Sequence, residues 1–180
     1  MDRDKLRAAQ APLKQRYCSE PEAAFITLKA KGRIGEGVTC SIFTSKRLVE
    51  AGLHPATGGP GTLACSGDML LEALAACAGV TLAAVATAIG VHLRDGTVSA
   101  EGDLDFRGTL GVTKDAPVGF QNIRVAFDLD TDANAEQLAT LRRLTERYCI
   151  VYQTLSQAPP IAISLTNSNP APEVLPHDQL

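Results

Sequence analysis

SGDMLLEALAACAGVTLAAVATAIG, residues 66–90, reads as one long helix. Ser66 suits the N-cap, Asp68 places an acid in the first turn, and Gly90 suits the C-terminal stop. From Ala73 to Val91 nineteen residues pass without a charge, a length that raises the question of a membrane span. Ala, Gly and Thr supply much of the run and Glu72 lies at its edge, so a span is not expected. A helix this small-residued and apolar all round is expected to be the buried centre of a globular fold.

Working outward, residues 54–65 (HPATGGPGTLAC) are rich in Gly and Pro and read as loop. Before them, 23–30 (AAFITLKA) and 37–44 (GVTCSIFT) read as strands joined through a KGRIGEG turn, with a third short strand near 46–50. After the helix, 97–106 and 120–129 alternate with period two and read as antiparallel strands around a loop at 107–119. Asn134 with Gln137 resembles a capping box. The helix it opens carries Leu138, Leu141, Thr145, Tyr148, Tyr152 and Leu155 on one face, and Pro159–Pro160 end it. IAISL (161–165) reads as a last strand. The order is strands, helix, strands, helix, strand: an α+β fold. Residues 1–21 form a leader expected to fray or to make a short helix docked on a partner, 22–166 the domain, and 167–180 a loose tail.

The chain has 180 residues, 45% hydrophobic and 21% charged, close to a soluble globular average. A net charge of −3 and only five Phe, three Tyr and no Trp argue against nucleic-acid binding. Residues 1–16 are charged and polar rather than a signal segment, so a cytoplasmic location is expected. The five cysteines (Cys18, Cys40, Cys65, Cys77, Cys149) include no CxxC pair, and no His stands at metal-ligand spacing from one. No metal or organic cofactor is expected. Cys77 and Cys149 both fall on helices. They are either small apolar core residues or an attacking thiol with a second thiol in reach to resolve it.

The segment GDMLLEALAACAGVTLAAVA (67–86), followed about seventy residues later by LRRLTERYCIVYQTL (141–155) and a closing strand, resembles the OsmC/Ohr family. The resemblance covers roughly residues 22–166. It implies an OsmC-like fold in which antiparallel sheets wrap a long buried central helix, with two copies intertwined as a homodimer and the sites at the subunit interface. It implies a thiol peroxidase that reduces organic hydroperoxides in oxidative-stress defence. Cys77 would be the attacking residue and Cys149 the resolving one, with a dithiol reductant reopening the disulfide. Arg33 would lie near the sulfur, held by an acid in the first helical turn, here Asp68. The chain departs from the family in three places. Gly67 stands where the peroxidase branch carries Glu, Ile150 where Pro often follows the resolving cysteine, and Glu72 where apolar residues are usual. The alternative these departures favour is a catalytically weak or inactive dimer binding another small molecule at its interface. No membrane partner is expected.

Overall fold

The computed structural model describes residues 2–24, 27, 31–34, 39–43 and 48–166, with the backbone alone at Pro21, 31–34, 39–43 and Leu48. The leader forms a helix, α1 (Arg3–Ser19), capped by Asp2, whose carboxylate accepts from the Lys5 main-chain N–H at 2.8 Å. Three short antiparallel strands follow, β1 (Lys31–Ile34), β2 (Thr39–Phe43) and β3 (Leu48–Gly52), in sheet order. β1 thus runs through the segment read as a turn. The pairs Arg33 with Ser41 and Ile34 with Cys40 set its register. Of the strand expected at 23–30, Ala23 and Ala24 close a 3₁₀ turn (Pro21–Ala24), and residues 25, 26 and 28–30 lie outside the described residues.

The Gly/Pro-rich loop contains a 3₁₀ turn (Pro55–Thr57) and ends in β4 (Ala64–Cys65), two residues paired parallel to β3. This strand carries too short a pattern to be read from sequence. Next comes the long helix α2 (Ser66–Ile89). Cys65, not Ser66, is its N-cap, and it makes no side-chain cap bond. At the other end Gly90 takes φ 78°, a left-handed conformation that a side chain disfavours, and Val91 N–H closes back on Ala86 C=O at 2.9 Å. The leader helix α1 rests on α2 of its own chain.

β5 (Leu93–Leu104) and β6 (Phe120–Thr131) form a long antiparallel hairpin whose connection holds a short helix, α3 (Phe106–Thr109). The hairpin lays its inner face on α2. Arg94–Asp130 (2.7 Å) and Arg124–Asp103 (2.6 Å) pair across its solvent face. α4 (Ala135–Tyr148) opens on the expected Asn134–Gln137 capping box. The expected single helix to Leu155 is interrupted, because Cys149 leaves helical geometry (φ −74°, ψ 108°). It caps both α4 and a separate α5 (Ile150–Ser156). Leu82, Val85, Ala86, Val91 and Leu141 make the core where α2, α4 and the hairpin meet, with Leu93, Phe127, Leu129 and Leu144 against it.

Residues 161–165 form no strand. Ile161, Ile163 and Leu165 are 85%, 87% and 96% exposed, an alternating apolar row that no strand among the described residues receives. α2 is long and apolar enough to cross a membrane by length and composition. It buries Leu74, Ala78, Leu82, Val85 and Ala86 inside the fold.

Candidate active site

Cys77 sits mid-way along α2, half-buried, and α5 packs on the same helix. The break at Cys149 places that residue against α2, 1% exposed, and starts α5 directly beside Cys77. The first N–H groups of a helix have no intrahelical acceptor, and here they meet sulfur. Burial pushes the Cys77 thiol up. Against it act the main-chain N–H of Val151, the Cys149 thiol, the main-chain N–H of Ile150 and the Thr81 hydroxyl, which together hold Cys77 below the ordinary thiol range. Burial pushes Cys149 up as well. The Tyr152 N–H opposes this, but the charge-bearing Cys77 beside it leaves Cys149 raised. One of two adjacent thiols is therefore disposed to ionise and the other to keep its proton.

Asp68 is exposed in the first turn of α2. Nine residues before Cys77 puts it about 13 Å away along the axis and on the opposite side of the helix, so the two are not brought together. Glu72, also exposed, lies about 140° round the helix from Cys77. At Gly67 an added Cβ would lie 3.4 Å from the Phe120 ring, 3.6 Å from Cys65 Sγ and 3.8 Å from Leu104, ordinary contacts within an apolar pocket. A carboxylate extending from here would enter that pocket. Arg33 has its backbone in β1, opposite Ser41, and its side chain lies outside the described residues, as does that of Cys40. Cys18 is exposed on α1 and Cys65 half-buried at the start of α2.

Sequence reading missed Thr81 and the main-chain donors. Ile150 occupies N1 of α5, the helical position that best tolerates proline. The family habit of Pro after the second cysteine was thus the available sign of a helix start there. Also missed was a cavity of about 470 Å³ between β6 and the α4–α5 pair, walled by Phe120, Val125, Phe127 and Leu155 and bounded by Cys149.

Similarity to known proteins follows the same core. Among curated proteins none matches the chain in sequence. Among solved structures, the fold is similar to the OsmC like protein from Mycoplasma pneumoniae, at 14% identity over 74% of this chain and 89% of that one, with a TM-score of 0.63. It is similar to an organic hydroperoxide resistance protein from Elizabethkingia anophelis, at 13% identity, 75% and 91% coverage and a TM-score of 0.60. A putative organic hydroperoxide resistance protein from Vibrio cholerae, solved with captopril in one of its active sites, gives 21% identity, 75% and 88% coverage and a TM-score of 0.53. The family described as OsmC-like protein matches residues 59–164, the span that runs from the loop before α2 through both cysteine helices. With that match over more than half its length, the chain belongs to the OsmC family.

Proposed function

We propose that this chain is a cytoplasmic thiol peroxidase for organic hydroperoxides, with Cys77 as nucleophile and Cys149 as resolving residue. The observation that carries the reading is the opposite perturbation of two adjacent thiols, Cys77 lowered and Cys149 raised. The Cys77 thiolate attacks the terminal peroxide oxygen and the O–O bond breaks. Cys77 becomes a sulfenic acid, and the alkoxide takes a proton and leaves as an alcohol. The Cys149 thiol then condenses with the sulfenic acid, forming the disulfide and releasing water. A dithiol reductant restores both thiols.

A second copy of the chain completes the site in this reading. β1, β2 and β3 make their main contacts with one another and with β4 rather than with α2. α2 leaves Ala73, Ala76, Val80 and Ala83 exposed along one side, and residues 161–165 carry an exposed apolar row. A symmetric partner would cover all three. Arg33 is then assigned to the partner's Cys77, where a guanidinium can orient the peroxide oxygens. Asp68 lies on the wrong side of α2 to act on its own Cys77 and is assigned, at most, to that Arg33.

The test is consumption of cumene hydroperoxide in the presence of dithiothreitol. Turnover that disappears in Cys77→Ser and stalls after one event in Cys149→Ser supports the reading; equal rates in wild type and Cys77→Ser refute it. A second reading is favoured by Gly67 sitting in an apolar contact where a carboxylate is absent. It is an inactive dimer that binds a small ligand, and peroxide-independent thiol status would identify it.

A further inference from the structure

Cys149 interrupts what would otherwise be one helix, and such a break leaves main-chain groups to be satisfied elsewhere. In an unbroken helix Ile150, Val151 and Tyr152 would donate their N–H groups to the carbonyls of Glu146, Arg147 and Tyr148. The ladder instead closes with Cys149 N–H on Thr145 C=O at 2.9 Å and restarts with Gln153 N–H on Cys149 C=O at 3.0 Å. The N–H groups it passes over are those that meet sulfur: Val151 and Ile150 face Cys77, and Tyr152 and Val151 face Cys149. Among the carbonyls left behind, Glu146 C=O accepts from the side-chain amide of Gln153 at 2.8 Å, a half-buried bond that spans the break. Ile150 keeps its N–H, so nothing covalent stops it from turning back to that carbonyl and leaving Cys77.

We propose that Gln153 is a positioning residue for the thiol pair: its amide occupies the carbonyl that the Ile150 N–H would take in a continuous helix, and so keeps the α4–α5 break open with the first N–H groups of α5 on Cys77. The inference rests on Cys77 being the nucleophile of the reading above. Gln153 acts through the main chain and not on the reacting atoms. An amide suits the task because it donates without carrying charge. The other groups facing Cys77 are the Cys149 thiol and the Thr81 hydroxyl. The carboxylate of Glu146 itself is engaged with Arg142 at 3.7 Å. Without the Gln153 donor, the Glu146 carbonyl is open to Ile150, α4 can run on through Cys149, and the nucleophile loses main-chain support.

Iodoacetamide alkylation of Cys77 against pH, in the reduced protein and without peroxide, tests this in wild type, Gln153→Met, Gln153→Lys, Ile150→Pro and the Ile150→Pro, Gln153→Met double variant. Gln153→Met keeps the side-chain length and removes the donor, and should raise the Cys77 midpoint by about half a unit or more. Gln153→Lys keeps a donor at that place and should give a midpoint at or below that of wild type. In the Ile150→Pro background residue 150 has no N–H to withdraw and the ring opposes closure of the helix. Adding Gln153→Met there should move the midpoint by no more than about 0.2 units. An equal upward shift in both backgrounds overturns the proposal, because a general structural role would not depend on residue 150. So does an unmoved midpoint in Gln153→Met. If denaturant melts show that Gln153→Met does not fold, a raised midpoint in Gln153→Lys overturns it and an unraised one supports it. Because no peroxide enters the comparison, failure of wild type to consume cumene hydroperoxide sinks the peroxidase reading separately.

Discussion

Cys77 and Cys149 are the same residue in neighbouring positions, and burial acts on both in the same direction. Each is met by two main-chain N–H groups, so what separates them is the side chains: Cys77 is met by the Cys149 thiol and the Thr81 hydroxyl, and Cys149 faces the charge this creates. Iodoacetamide reactivity against pH should therefore have a lower midpoint for Cys77 than for Cys149. Thr81→Val should move the Cys77 midpoint upward while Thr81→Ser restores it, and overlapping curves would remove Thr81 from the account. The same shift has a linkage sign. A depressed folded-state pKa adds stability above the ordinary thiol pKa, and that contribution fades as pH falls through the folded value. The raised Cys149 has the opposite slope, full below the ordinary value and lost as pH rises. The helical position of Cys77 was legible because α2 announces itself by composition and caps, whereas Cys149, read as helical, is the cap between two helices. Asp68 stands in the first turn of α2 as expected, on the side of the helix opposite its own Cys77. Arg33 was placed in a turn because Gly32 and Gly35 flank it, yet strand pairing reaches through Ile34.

The α4–α5 break is the element on which the site depends. Cys149 already has the extended backbone that a following proline requires, and Ile150 is at N1. Ile150→Pro should accordingly fold, with stability within about 1 kcal/mol of wild type in denaturant melts. It should nevertheless raise the Cys77 alkylation midpoint, since one N–H donor is gone. A collapse of the fold would show that the junction is not a true helix start. Leu141, 1% exposed in the core beneath this junction, should cost about 2–5 kcal/mol when cut to Ala. The periodic pattern ran unbroken through Cys149 in sequence, because α5 resumes nearly in phase and Leu155 still faces inward. The strand expected at 161–165 shows the converse: Ile161, Ile163 and Leu165 alternate correctly, but alternation supplies no neighbour to pair with.

At the scale of the whole molecule, one side of α2 and the 161–165 row lack cover among the described residues, and a homodimer would account for them together. Sedimentation at micromolar concentration should give a dimer; a monomer would leave the apolar row unexplained. If Arg33 serves the partner's Cys77, co-expressed Cys77→Ser and Arg33→Met chains should recover about a quarter of wild-type turnover, since half the dimers are mixed and each has one intact site. No recovery from two variants that each bind a wild-type partner would place Arg33 in its own subunit or outside the site. The α+β class and the family were legible from α2 and the second cysteine helix. The homodimer was expected only through the resemblance, because contacts between copies leave no periodicity in a single chain. The central claim is that Cys77 and Cys149 form one redox unit. Titration of the reduced protein with cumene hydroperoxide, followed by disulfide mapping in the mass spectrometer, tests it most directly. The account predicts loss of two thiols per peroxide and a Cys77–Cys149 linkage within one chain; a Cys65–Cys77 linkage, or thiols untouched by excess peroxide, would contradict it.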